Sequence, residues 1–220
     1  MSDVVLFGTG DFAQVACEYL RRDSPHEVVA FTVHERYVDE PELLGLPVVP
    51  FERLEERHPP SECSMFVAVG FSRVNKTRRA MYDECRSKGY ELISYVNSKA
   101  FRIGDLELGD NCFVFEANVI QPFVRIGSDV IVWSGNHIGH HARIGDHCFI
   151  ASHAVISGNV TIGEESFVGV NATFRDGVNV APRCVIGAGV LIMKDTEEGG
   201  VYSVPGAEPR PMKSWDLKGF

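Results

Sequence analysis

The stretch Ile138-Gly139-His140-His141-Ala142-Arg143-Ile144-Gly145-Asp146-His147-Cys148-Phe149-Ile150 repeats every six residues: an isoleucine closes each unit, and a small residue, Ala142 or Cys148, stands two places before it. The register extends both ways. Every sixth residue from Leu108 to Ile192 is leucine, valine, isoleucine or phenylalanine, and glycine often follows, as at Gly109, Gly127, Gly145, Gly163 and Gly187. Two inward positions in six describe a solenoid whose units bury their apolar faces by stacking on one another. Three units make a triangular coil, and five coils at the spacing of neighbouring strands would stand roughly 24 Å tall.

Three of the six cysteines fit this register. Cys112, Cys148 and Cys184 follow one another at steps of 36 residues, which puts them inside one face at every second coil. Their separation of about 9 to 10 Å exceeds disulfide reach, so they read as small buried hydrophobes. Asn118 and Asn136 share an inward site one coil apart, as in a stacked amide ladder. Phe123, Trp133 and Phe167 sit at outward or flanking positions where a neighbouring subunit could cover them.

The chain before the repeats is organised differently. Val4 to Phe7 is an apolar run that ends in Gly8-Thr9-Gly10-Asp11-Phe12-Ala13 and leads into a helix-like stretch from Gln14 to Arg22. Strand, glycine turn and helix in this order fit GxGxxA, in which the glycines let a phosphate approach the backbone and the helix N-terminus offers free N–H groups. Asp11 suits the N-cap. Further strands are expected at Glu27 to Val33, Met65 to Val69 and Glu91 to Tyr95, with Pro47-Val48-Val49 as an edge piece and a helix from Arg73 to Lys88. Alternating strands and helices imply a small parallel, Rossmann-like α/β sheet. Gly70-Phe71-Ser72 then follows a strand at the same carboxyl edge as the glycine turn, where open α/β sheets take their ligands. The length suits one mononucleotide-type ligand better than NAD. The expected organisation is an α/β domain over residues 1–98, a parallel β-helix over 99–206 and a tail over 207–220.

Composition narrows the function. Of 220 residues, 45% are hydrophobic and 23% charged, and the formal net charge of −9 repels nucleic acid. Residues 1–8 show no basic leader and no apolar run approaches the roughly 20 residues of a membrane span, so a cytoplasmic location is expected. The sharpest signal is that five of the eight histidines, His137, His140, His141, His147 and His153, fall within one coil's length. His140 stands apart because it lies at a corner, two residues past the inward Ile138, where it can project toward a neighbouring subunit.

Nearly the whole chain resembles the nucleotide-sugar acyltransferases related to sialic acid O-acetyltransferase and to the N-acetyltransferase of the bacillosamine pathway. The resemblance is carried by Phe7-Gly8-Thr9-Gly10, Val67-Ala68-Val69-Gly70, Gly139 to Asp146, Ser157 to Gly163 and Val201-Tyr202-Ser203-Val204-Pro205-Gly206. It implies a left-handed β-helix, a homotrimer, a nucleotide-linked sugar held by the N-terminal domain and acetyl-CoA lying between adjacent β-helices. His140 falls on the family's catalytic base, which takes the proton from an attacking amine or hydroxyl. The family's acidic neighbour of that base is His141 here, with Asp146 as a substitute, and a second family histidine is Phe149. Gly158 is the candidate for holding the thioester, and Arg183 and Lys194 for meeting coenzyme A phosphates. Gly8, Gly10, Asp11, Gly70 and Phe71 are the candidates for the sugar nucleotide, with Glu35 accepting from a hydroxyl.

The leading expectation is an acetyl-CoA-dependent transferase acting on a sugar amino group in cell-surface glycan synthesis, with no metal. Acylation of a sugar hydroxyl is the nearest alternative. The same solenoid also carries the zinc sites of γ-type carbonic anhydrases, which the histidines bring to mind. A non-catalytic trimer that binds sugar nucleotides is the remaining reading.

Overall fold

The computed structural model describes residues 3–217. Its first part is a sheet of β1 (Asp3–Phe7), β2 (Glu27–Val33), β3 (Glu42–Leu43), β4 (Leu46–Pro50) and β5 (Cys63–Val67) in the order β3-β4-β2-β1-β5. All pairs are parallel except the β3–β4 hairpin. Val4, Val5, Leu6 and Phe7 are all buried because helices cover both faces of β1. Helix α1 (Asp11–Asp23) packs Ala13, Ala16, Cys17 and Leu20 against Val4 and Leu6, while α2 (Lys76–Ser87) packs Tyr82 and Cys85 against Val5 and Phe7.

Several local expectations change. Gly10, not Asp11, is the N-cap of α1, and Asp11 is the first helical residue, where its charge still complements the helix dipole. The β4 strand is not an edge, since the two-residue β3 lies outside it. Helix α2 begins three residues later than expected because Arg73, Val74 and Asn75 all have left-handed backbone, with φ of 54°, 54° and 64°. From Glu91 to Tyr95 only Leu92 bridges to the sheet, at Met65. Tyr95–Val96 instead pairs with Phe113–Val114 and so forms the first rung of the solenoid.

The solenoid is a three-faced parallel β-helix of two-residue rungs. The first face stacks Tyr95–Val96, Phe113–Val114, Ile131–Val132, Phe149–Ile150, Phe167–Val168, Val185–Ile186 and Val201–Tyr202. The second runs from Phe101–Arg102 through Val119–Ile120, His137–Ile138, Val155–Ile156 and Thr173–Phe174 to Leu191–Ile192. The third stacks Glu107–Leu108, Arg125–Ile126, Arg143–Ile144, Thr161–Ile162 and Asn179–Val180. Rungs at both ends extend the structure past the five coils of the aliphatic repeat, because Arg102 and Tyr202 occupy rung positions that the pattern does not include. Inside run the aliphatic residues and Cys112, Cys148 and Cys184, all fully buried thiols. The asparagine ladder is built through the backbone: Asn118 Oδ1 accepts from the Asn136 N–H and Asn136 Oδ1 from the Ala154 N–H.

Each corner turns on one residue with left-handed backbone, recurring every six positions: among others Asn111, Phe123, Asp129, His141, His147, His153, Asn159 and Asn171. That conformation costs an ordinary L-residue about 1–2 kcal/mol, and short polar side chains tolerate it best. Three of the five clustered histidines, His141, His147 and His153, are therefore corner residues at steps of six.

The α/β part docks on the first face. Phe12 meets Phe66, Phe113, Phe115 and Trp133 at ring distances of 5.9–6.4 Å, and Trp133 stacks on Phe115 at 4.4 Å. Phe71 packs on Phe149 and Phe167, each at 4.9 Å. Trp133 and Phe167 are thus half-buried against their own chain. A corner column of Asn111, Asp129, His147 and Glu165 completes the contact. The buried Arg78 guanidinium donates to Asp129 Oδ1 at 3.0 Å and to the carbonyls of His147 and Cys148. His147 Nδ1 lies 2.9 Å from Asp129 Oδ2, Asn75 donates to the Glu165 and Ser166 carbonyls, and Arg79 pairs with Glu165.

The outer surfaces of the other two faces differ. The second presents Phe101, Val119, Val155 and Leu191, all exposed, with His137 and Thr173 between them; the third presents Glu107, Arg125, Arg143, Thr161 and Asn179. Trp215 in the tail is 80% exposed and caps nothing in its own chain. Among the described residues no helix is long and apolar enough to cross a membrane.

Candidate active site

The site is built on the corner between the second and third faces, opposite the face that carries the α/β part. Strand register places Pro122, His140, Gly158 and Asp176 in one column along this corner, one residue per coil, and Lys194 follows the last rung of the second face. Phe123, His141, Asn159 and Gly177 form the adjoining column.

His140 is exposed but held at three points. Its backbone N–H donates to Gln121 Oε1 at 2.8 Å, its Nδ1 lies 3.2 Å from His141 Nδ1, and its ring rests on Gly158. A Cβ on residue 158 would come within 2.6 Å of His140 Cε1 and 2.8 Å of Nε2, so only glycine leaves the imidazole in this place. His141 is fixed in turn by the Phe123 ring beneath it, 4.7 Å away. With Nδ1 engaged by His141, Nε2 is the ring nitrogen left to exchange a proton. An open cleft of about 320 Å³ beside the corner is lined by Phe123, Arg125, His141, Arg143 and the acidic Asp105 and Glu107.

The remaining candidates separate into groups. Asp146 lies at the next corner of the coil, where Oδ1 accepts from the Ser128 N–H at 2.7 Å, so it does not meet His140. Lys194 follows the last rung of the second face, Leu191–Ile192. Arg183 sits at the corner between the third and first faces and is paired with Glu164 and Glu198, beside Arg73 and Lys76. Of the other histidines, His147 is enclosed against Asp129 and Tyr82, and His153 lies over Gly135 at another corner. The five histidines therefore do not converge, and among the described residues no three His, Cys, Asp or Glu side chains are grouped to hold a metal ion.

The α/β part carries a second set of candidates at one sheet edge. Gly8 has φ of 127°, and a Cβ there would lie 2.7 Å from the Ala68 carbonyl, so the glycine is required for β1 and β5 to close at this edge. Gly10 has open space where a side chain would be. Gly70 is tied in place through its carbonyl, which accepts from Arg78. Glu35 lines a cleft of about 610 Å³ with His34, Arg36, Glu52 and Glu84. His34, which spacing did not single out, bridges Glu52 and Glu84 and meets the rings of Phe7 and Phe51. Hydrogen bonds hold the Glu52 carboxyl below the usual carboxylate range, against an opposing push from burial, which is the largest single influence.

Comparisons with known proteins agree with this architecture. A family model described as bacterial transferase hexapeptide (six repeats) matches residues 123–158, and one described as the hexapeptide repeat of succinyl-transferase matches residues 159–194. No curated protein sequence matches the chain. Among solved structures, the acetyltransferase domain of PglB from Neisseria gonorrhoeae FA1090 is 24% identical over 91% of this chain and 96% of that one, with a TM-score of 0.82. PerB from Caulobacter crescentus, solved with CoA and GDP-perosamine, is 28% identical over 93% of both chains, with a TM-score of 0.78. WeeI from Acinetobacter baumannii AYE shares the fold at 16% identity, 87% of this chain, 96% of that one and a TM-score of 0.66. Repeat, corner geometry and likeness along most of the chain together give the protein a left-handed β-helix built on the plan of the sugar acetyltransferases, with bacterial hexapeptide-repeat matches over residues 123–194.

Proposed function

We propose that the protein transfers an acetyl group from acetyl-CoA to the amino group of a nucleotide-linked sugar, with His140 as general base. The observation that carries this reading is the His140 imidazole, seated on Gly158 at an open corner with Nδ1 engaged and Nε2 free. The PglB domain has also been solved with acetyl coenzyme A, and the Caulobacter perosamine N-acetyltransferase with CoA and GDP-perosamine.

In this scheme His140 Nε2 removes a proton from the acceptor amine as its nitrogen attacks the thioester carbonyl. The carbon–nitrogen bond forms, the carbon–sulfur bond breaks, and the proton passes from His140 to the departing thiolate. General-base assistance of this kind contributes about 10²- to 10⁴-fold. The backbone at Gly158 is the candidate for steadying the thioester oxygen, and Lys194, after the last rung of the second face, for meeting a coenzyme A phosphate. Gly8, Gly10, Asp11, Glu35, Gly70 and Phe71 remain the candidates for the sugar nucleotide, at an edge rich in backbone N–H groups and in glycine.

The base and this edge lie on opposite sides of one β-helix, so the scheme requires a neighbouring copy to bring its nucleotide edge to the His140 corner. The apolar second face, which ends at that corner, is the surface on which a homotrimer would close. A cytoplasmic location, a division into residues 1–98, 99–206 and 207–220, and a role in glycan synthesis belong to the same proposal. The test is free-thiol release from acetyl-CoA with UDP-, dTDP- and GDP-linked amino sugars. Release with one acceptor, lost in His140→Ala while the oligomer persists, is the expected result; undiminished turnover by that variant overturns the assignment.

A further inference from the structure

The base in this chain lacks the carboxylate that its chemistry calls for. When His140 accepts a proton it becomes an imidazolium, which is favoured by a nearby negative charge. Its sequence neighbour is a histidine, and Asp146 is at another corner. The corner column supplies a different group. The point where a Cβ would stand on Gly158 is 2.8 Å from His140 Nε2 and 3.1 Å from Asp176 Oδ1. Two coils separate residues 140 and 176, about 9.6 Å of backbone rise. The imidazole reaches toward Gly158 from one side and the carboxylate from the other, and the missing side chain is what lets them approach.

We propose that Asp176 is the positioning residue of the acyl-transfer base: its carboxylate faces the Nε2 edge of His140 across Gly158 and stabilises the imidazolium formed during proton transfer. This rests on the reading of His140 as the base. Asp176 takes no part in the proton transfer, in which the proton moves from acceptor amine to His140 and on to the thiolate. The other titratable groups around His140 are His141 on its own corner, Asp105, Glu107, Arg125 and Arg143 in the cleft beside that corner, and Lys194 after the last rung of the second face. The coil below contributes the uncharged Pro122 and Phe123 at the corner itself, with Arg125 paired to Glu107 in the adjoining cleft. Asp176 is the one carboxylate among the residues of the His140 column, Pro122, His140, Gly158 and Asp176.

Asp176→Asn, Asp176→Glu and His140→Ala are compared with the wild type in the thiol-release assay across pH. Asp176→Asn is expected to lower kcat roughly tenfold, with both KM values within about twofold, and to move the acid limb of the kcat/KM profile to lower pH by roughly half a unit to one unit. Asp176→Glu recovers part of the loss, and the difference from wild type shrinks in high salt because both groups are exposed. A measurement that needs no turnover is the histidine Cε1–H NMR signal absent from the His140→Ala spectrum, whose titration midpoint is expected to fall in Asp176→Asn. Wild-type kcat, pH profile and midpoint in Asp176→Asn, with His140→Ala inactive, overturn the role of Asp176 alone. Full turnover by His140→Ala overturns the base assignment itself.

Discussion

Replacing Gly158 by alanine displaces the imidazole of His140 most and crowds the Asp176 carboxylate more weakly, its Oδ1 lying 3.1 Å from the new methyl position. The residue has no left-handed backbone, so alanine is conformationally acceptable there. Its new methyl group would stand 2.6 Å from His140 Cε1, while ordinary carbon contacts begin near 3.4 Å, so the ring must retreat by about 1 Å. An exposed side chain can do this at small cost to stability. A reacting group displaced by 1 Å can lose about 10²-fold in rate. Gly158→Ala is therefore expected to lower kcat by roughly two orders of magnitude with an almost unchanged Tm and an unchanged KM for the sugar nucleotide. Steady-state thiol release against sugar-nucleotide concentration measures kcat and KM, and thermal denaturation measures Tm. If the variant turns over at the wild-type rate, the ring position described for His140 is not the one used in catalysis, and the argument from Gly158 fails.

Other consequences are spread across the molecule. Arg78→Ala leaves Asp129 buried without its cation and should cost about 3–5 kcal/mol in denaturant unfolding; a loss below about 1 kcal/mol would contradict the importance of this contact. Val155→Glu puts a charge in the middle of the apolar second face and should reduce the molecular mass measured by light scattering to that of a monomer, while the far-ultraviolet spectrum is kept. Asp23 is held below the usual carboxylate range by hydrogen bonds from Ser98 and then Tyr95, so it stabilises the fold above the unfolded-state pKa and ceases to do so as pH falls through the depressed native value. Asp23→Asn should accordingly lower Tm by about 2–4 °C at pH 7 and by progressively less in acid. Burial pushes the Cys63 thiol up to about 11 and those of Cys112 and Cys148 up to about 12, so a thiol-specific disulfide reagent at pH 8 should react slowly with the native protein and rapidly once it is denatured.

The solenoid was legible because its rule is strictly local: each inward residue from Leu108 to Ile192 is dictated by its own coil, and the sequence repeats the dictate. The ends were less legible, since Tyr95–Val96 and Val201–Tyr202 join the first face by pairing with a neighbour and not by carrying the repeat. His140 and its relation to Gly158 could be placed because an 18-residue coil makes positions 140 and 158 neighbours. The same arithmetic reaches position 176, but neither its partner nor its charge stands out until the vacant space over Gly158 is seen. The histidine cluster misled for a physical reason. Corners demand left-handed backbone every six residues, and histidine is among the side chains that tolerate it, so His141, His147 and His153 recur on the fold's period as much as on the chemistry's. The contact between the two parts was illegible, because Arg78 meets Asp129 across 51 positions that no pattern links.

The α/β part is fastened to the first face, across the prism from its own His140. Under the proposed scheme an isolated chain is then two halves of two different active sites. Activity should fall with dilution more steeply than enzyme concentration alone requires. Two dead proteins, one lacking His140 and one crippled at Gly8, should regain turnover when mixed and allowed to exchange subunits, since some of the hybrid sites would pair an intact base with an intact nucleotide edge.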